Sequence, residues 1–110
     1  MMNLGAETRE VLDHYGYKLA DVVSVTGCSQ DAWTIENFLE VADGIEYDEG
    51  YGAQEVNEML TIWLADGSRF ERGEYDGSEW WELFQIVKAP EPEPKAKPKV
   101  ADLLAGGWTD

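Results

Sequence analysis

Two Asp-Gly pairs ten residues apart, Asp66-Gly67 and Asp76-Gly77, restrict what this chain can fold into more than any other feature. Asp-Gly favours the two-residue hairpin turn, because a type I′ turn needs positive φ at both central positions. The flanking segments are strand-like. Leu60, Ile62 and Leu64 alternate with Met59, Thr61, Trp63 and Ala65, so 56–65 reads as a strand, 68–75 as its return and 78–87 as the third strand of an antiparallel meander. With two residues in each turn, Trp63 falls opposite Phe70, Phe70 opposite Leu83, Gly73 opposite Trp80 and Arg72 opposite Trp81. The last two pairs make local sense, since an indole covers bare glycine backbone and a guanidinium stacks on an indole.

Upstream of the meander, residues 6–15 read as a helix. Leu4, Thr8, Val11, Leu12 and Tyr15 recur at helical spacing, Glu7 and Glu10 lie early, and Gly16 is a C-terminal stop. Residues 17–26 turn β-branched and read as a strand. Residues 32–42 fit two periods: Trp33, Ile35, Leu39 and Val41 alternate, while Ile35, Phe38, Leu39 and Ala42 have helical spacing. A strand is the reading adopted here, followed by a glycine- and acid-rich loop over 43–54. The expected architecture is α+β, an N-terminal helix packed on an antiparallel sheet of about five strands. A small β-barrel is the alternative. Three regions follow: a compact acidic domain over 1–88, a Pro/Lys/Glu-rich linker over 89–99, expected to be extended and poorly packed, and a short apolar tail over 100–110.

The formal charge of −15 belongs to the domain. Residues 1–88 hold nineteen acids against five bases, or −14, and 89–110 hold four against three, or −1. Between Lys18 and Arg69 there is no base, but eleven acids run from Asp21 to Asp66. Such a surface repels nucleic acid and anionic membrane, whose binding needs Lys and Arg, and attracts basic surfaces. An apolar fraction of 44% is enough for a core. Cys28 stands alone, so no intrachain disulfide forms and a reducing compartment fits. The segment Met1-Met2-Asn3-Leu4-Gly5 has no secretory-signal pattern, and no apolar run reaches membrane-spanning length. The expectation is a soluble cytoplasmic protein.

Several clusters invite a chemical reading. Glu46, Asp48, Glu49 and Glu55 form an acidic face on the central loop, but their spacing does not match a calcium-binding EF-hand, and a solvated surface is expected there. Glu71, Glu74, Asp76, Glu79 and Glu82 offer carboxylates on the last hairpin, with no nucleophile partner or phosphate loop beside them. No enzyme activity, metal or cofactor is therefore expected. His14 and Cys28, each the sole residue of its kind, read as an exposed helix histidine and a small core cysteine. Tyr75, Trp80 and Trp81 around one tight turn, with Arg72, are the residue types that dominate interface hot spots. Leu104 and Trp108 give the tail an apolar side able to make a second contact.

The loop Tyr47-Asp48-Glu49-Gly50-Tyr51-Gly52 with Glu55-Val56, and above all the run Glu74-Tyr75-Asp76-Gly77-Ser78-Glu79-Trp80-Trp81, resembles a group of small uncharacterised acidic proteins from phages of actinobacteria. The likeness spans roughly residues 30–87. It implies a setting, a phage product in a bacterial cytoplasm, and no catalytic residues. Three functions fit: a non-enzymatic binding protein that engages a host protein with a basic surface as inhibitor or modulator; an acidic DNA mimic blocking a nuclease, restriction enzyme or DNA-binding protein; or a minor virion or assembly component.

Overall fold

A computed structural model describes residues 1–28, 31–48, 55–75, 78–85 and 90–105. Its longest regular elements follow from caps and turns. Helix α1 (Leu4–His14) begins two residues earlier than the apolar spacing alone suggests, because the Asn3 side chain accepts from the Ala6 amide at 2.9 Å and caps the first turn. It ends before Gly16, whose φ of +83° suits glycine. The β-branched stretch after it becomes strand only at Val22. Residues Leu19–Asp21 form a 3₁₀ turn, in which the Asp21 carboxylate accepts from the Lys18 amide at 2.7 Å.

The segment 32–42 corrects the strand reading. Ala32–Trp33 is a two-residue strand, and Ile35–Ala42 is helix α2. Thr34 decides the change: its hydroxyl accepts from the Asn37 amide at 3.1 Å, an N-cap that starts a helical turn. Ile35, Phe38, Leu39 and Ala42 then form one buried stripe, while Val41, which the alternating pattern would have buried, is only half-covered.

Seven strands result among the described residues. A two-stranded pair joins β1 (Met2–Asn3) to β4 (Glu46–Tyr47), and the main sheet has the order β3 (Ala32–Trp33), β2 (Val22–Thr26), β5 (Thr61–Leu64), β6 (Ser68–Tyr75), β7 (Ser78–Gln85), all antiparallel. The fold is thus α+β, with the N-terminal helix, an open five-stranded sheet and a β5–β6–β7 meander. No barrel closes, because β3 and β7 end the sheet on opposite sides.

The two hairpins differ. Across β6 and β7, Phe70 faces Leu83, Arg72 faces Trp81 and Gly73 faces Trp80, the register that two-residue turn arithmetic requires; Asp76 and Gly77 themselves lie outside the described residues. Across β5 and β6 the register is one residue away from that expectation, with Phe70 opposite Ile62 and Trp63 opposite Arg69. The loop here has three residues, Ala65, Asp66 and Gly67. Its turn closes through Gly67 N–H to Leu64 C=O at 3.1 Å, and the φ of +92° at Gly67 then redirects the chain. Asp66 acts through its side chain, accepting from the Ser68 amide at 2.9 Å and from the Tyr17 hydroxyl at 2.7 Å. The one-residue shift sends Ile62 and Leu64 inward and Trp63 outward, where its indole N–H reaches Thr26 Oγ1 at 2.9 Å.

Helices α1 and α2 cover one face of the sheet. Leu4 and Leu12 of α1, Phe38, Leu39 and Ala42 of α2, and Val25, Trp33, Ile62, Leu64, Phe70 and Trp81 from the strands share a single core. The opposite face carries Trp63, Arg69 stacked 5.4 Å from the Phe84 ring centre, and Trp80 laid over Gly73. A Cβ on Gly73 would sit 2.6 Å from the Trp80 indole nitrogen, so glycine there lets the ring lie flat.

Residues 90–105 fold back on the domain as a strap. The segment is extended over its prolines, but it is also held. Ser24 donates its hydroxyl to Pro90 C=O at 2.6 Å, Glu93 N–H reaches Ala32 C=O at 2.7 Å, and Asn37 Nδ2 reaches the carbonyls of Pro94 and Ala96 at 3.2 and 2.9 Å. Lys97 pairs with Glu40 of α2 at 2.6 Å. The short helix α3 (Val100–Leu103) then buries Leu103 completely, and Asn57 N–H bonds Leu103 C=O at 2.8 Å. A sequence of alternating proline and charge gives no sign of these docking bonds, since most of them use backbone groups of the strap. No helix among the described residues is long and apolar enough to cross a membrane.

Candidate functional site in the α1–β7 groove

Strand alternation carries a charge into the interior. Phe70 faces the core, so Arg72, two residues on, faces it too, and with it the cross-strand partner Trp81 and, two residues before that, Glu79. Arg72 is 8% exposed and Glu79 5%. Helix α1 adds a second acid, because Glu7 lies three residues beyond Leu4 on the helix face turned to the sheet.

The four polar groups close a network. Arg72 Nη1 donates to Glu7 Oε1 at 3.1 Å, and Nη2 donates to the Tyr47 hydroxyl at 3.1 Å and to Glu79 Oε1 at 3.3 Å. The Tyr47 hydroxyl in turn donates to Glu7 Oε1 at 2.6 Å. Glu79 also accepts the backbone amides of Glu55, at 2.6 Å, and Val56, at 3.1 Å, tying the segment before β5 to the last strand. The guanidinium lies 4.8 Å from the Trp81 ring centre and 5.6 Å from that of Tyr47. Trp81 Nε1 donates to Thr8 Oγ1 at 3.0 Å, and the Thr8 hydroxyl in turn donates to Leu4 C=O at 2.8 Å. Two carboxylates thus surround one guanidinium, whose Nε is buried without a partner among the described residues. Burial pushes the Glu7 carboxyl above its ordinary value, against the pull of Arg72 and the Tyr47 hydroxyl bond. Burial, and then the bond to Glu7, push the Tyr47 phenol up as well.

Beside this network lies a groove of about 350 Å³ between α1 and β7. Glu7, Glu10, Val11 and His14 form the helix side, and Trp80 and Trp81 the strand side. Glu7 spends Oε1 on both of its bonds, and Glu10 has no partner among the described residues, so the groove's helix side carries the exposed Glu10 carboxylate and Oε2 of the largely buried Glu7. Strand β7 is paired on its β6 side and, among the described residues, on no other. The groove can therefore offer charge from the helix and backbone hydrogen-bonding groups from the strand.

The residues singled out from sequence distribute as follows. Arg72 and Trp81 come together in the interior network; Trp80 lines the groove at 36% exposure, and Tyr75 is 77% exposed at the end of β6. Leu104 is half-buried and bridged to Val56, and Trp108 lies outside the described residues. In the acidic face, Glu46 is exposed and accepts from Asn3 Nδ2 at 2.7 Å, Asp48 is half-buried, Glu55 is exposed, and Glu49 lies outside the described residues. Other acids of the base-free stretch are spread out. Glu55 and Glu58 precede β5 at one end of the sheet, Asp66 follows it at the other, Glu36 lies on α2, and Asp43 and Glu40 are paired with Arg9 and Lys97. Cys28 differs from the core reading: it is exposed, and its sulfur accepts from Asn57 Nδ2 at 3.3 Å. His14 is exposed on the last turn of α1 and also lines the groove. Sequence reasoning passed over Glu7 and Tyr47 and gave Glu79 only as one of five carboxylates on the last hairpin. Counting twos back from Trp81 would have found Glu79, whereas Tyr47 arrives through the β1–β4 pair, which no local pattern announces.

Among the described residues, no group of three or more His, Cys, Asp or Glu side chains is placed to hold a metal ion. Comparison of the chain with known protein families, curated proteins and solved structures finds no match.

Proposed function

We propose that this chain is a phage-encoded, non-enzymatic binding protein that engages a bacterial host protein with a basic surface, as an inhibitor or modulator, in the host cytoplasm. The observation that carries the reading is the groove between α1 and β7, where Glu7 and Glu10 stand beside Trp80 and Trp81 on a domain of charge −14. Acidic charge steers a basic partner to the surface, and aromatic and backbone contacts in the groove hold it. The phage setting comes from the likeness of the Glu74–Trp81 run.

A non-catalytic role is supported by the use already made of the buried acids. Glu79 is consumed by Arg72 and two backbone amides, so it is not a free partner for Glu7 in acid–base chemistry. The DNA-mimic alternative needs a continuous negative stripe. Acids at both ends of β5, on α2 and in ion pairs with Arg9 and Lys97 make a poor one.

The test is affinity capture from actinobacterial host lysate at low and moderate salt. The expected result is a stoichiometric basic protein whose retention falls with salt. Recovery of no stoichiometric partner at low salt defeats the proposal.

A further inference from the structure

The two edges of the main sheet are flanked alike, each by a helix carrying polar side chains, but one edge is filled. At β3 an extended segment of the chain itself lies along the strand: Glu93 N–H bonds Ala32 C=O, Asn37 on the flanking helix α2 reaches the Pro94 and Ala96 carbonyls, and Glu40 on the same helix takes Lys97. An extended backbone, an edge strand and a helix carboxylate paired with a lysine make up this arrangement.

At β7 the same parts are present, and among the described residues no extended segment lies along the strand. The strand has eight residues, Ser78 to Gln85, and holds neither proline nor lysine, the residues that commonly blunt an exposed edge. Its flanking helix α1 presents Glu7 and Glu10, at i and i+3 on one face, across the groove. We infer that the β7 edge is a strand-addition site, and that its occupant is an extended basic segment of the partner, hydrogen-bonded to β7 with a lysine or arginine side chain turned toward Glu7 and Glu10. Such augmentation takes affinity from main-chain bonds and specificity from the side-chain pockets alongside. Charge complementarity selects a basic segment over a second copy, because a second copy would bring together two molecules of charge −15 each.

The inference rests on the reading of the protein as a partner-binding domain, and one experiment separates the two. The full chain is titrated at low salt with acetylated, amidated (Thr-Lys)₃, with the same peptide N-methylated on alternate amides, and with (Thr-Gln)₃, following backbone amide signals and their hydrogen exchange by NMR. N-methylation keeps the charge and removes half the donors. The expected result is slowed exchange confined to alternate amides of Ser78–Gln85 with (Thr-Lys)₃, roughly tenfold weaker binding of the methylated peptide for each 1.4 kcal/mol of main-chain bonding lost, and weaker binding still of (Thr-Gln)₃. Glu10→Gln, an exposed change, is expected to weaken (Thr-Lys)₃ about two- to fivefold, as for one exposed ion pair. Equal affinity of the two lysine peptides overturns strand addition and leaves the acidic binding surface standing. Binding of neither lysine peptide overturns both. Protection of β7 that grows with protein concentration in the absence of peptide overturns the basic occupant in favour of self-pairing.

Discussion

At the β3 edge the sheet is closed by residues 90–96 and the α2 side chains that grip them; at the β7 edge it stops at a groove floored by a charged network. The first edge is secured by one backbone bond from Glu93 to Ala32, by Ser24 and Asn37 side chains bonded to strap carbonyls, and by the apolar plug Leu103 further along the strap. The second is secured from beneath, by Arg72 holding α1, β4 and β7 together through Glu7, Tyr47 and Glu79. A covered edge needs no charge in its interior. An edge kept open needs a rigid support under it, and buried ionic groups supply one at a desolvation cost that apolar packing avoids.

Removing the support is the severest way to break this contrast. Arg72→Ala leaves Glu7 and Glu79 buried together without a counter-charge, and is expected to lower unfolding free energy by about 3–5 kcal/mol in urea titrations. A loss under about 1 kcal/mol would mean that the network is incidental to the fold. Leu103→Ala attacks the other side. This side chain is fully buried, and its truncation is expected to cost about 3 kcal/mol and to speed amide exchange at Ala32–Trp33 before that at β7. Uniformly faster exchange in both edge strands would contradict independent anchoring.

The smallest effect is a pH dependence. The folded state holds the Glu7 proton to a higher pH than the unfolded chain, where the ordinary value is 4.5. Stability attributable to Glu7 is therefore greatest below that value and falls as pH rises through the interval up to the folded value. The groups facing it are Arg72, Tyr47 and Glu79 in the network and Glu10 and His14 in the groove. Asp43 and Asp66 act oppositely at lower pH. Bonds from Arg9 and from the Tyr17 hydroxyl hold them below their ordinary 3.8, so their stabilisation is lost as pH falls through the folded values. Comparing wild type with Glu7→Gln isolates the first effect: the difference in unfolding free energy should decline from pH 4.5 upward and then level off. A flat difference would show that Glu7 ionises as it does in the unfolded chain.

How far the sequence reaches also divides along these lines. The β6–β7 register, the Trp80–Gly73 cover and the Arg72–Trp81 stack follow from turn length and strand alternation, both local properties. The β5–β6 register does not, because an Asp-Gly pair also serves a three-residue loop when the aspartate bonds the amide two residues on. The helix over Ile35–Ala42 was present in the apolar spacing, and Thr34 as its cap was the signal that separates it from a strand. The groove was legible in part. Its tryptophans stand out, but Glu7 becomes part of it only when α1 is laid over β6 and β7, and Tyr47 only when β4 pairs with β1. The strap was least legible, since composition reports that proline and charge resist packing and is silent about which carbonyls find donors.

The docking of Leu103 also bears on how the protein is made. A nascent chain extended only as far as β7 has all five strands of the sheet, but β3 is still bare and the cavity under α2 and Asn57 is unfilled. During that interval the β3 margin of the sheet is open to other chains, and the core cannot reach its final density. Synthesis of residues 90–105 ends the exposure at β3, so the period of greatest risk for misassembly there is set by how quickly this segment emerges and closes down.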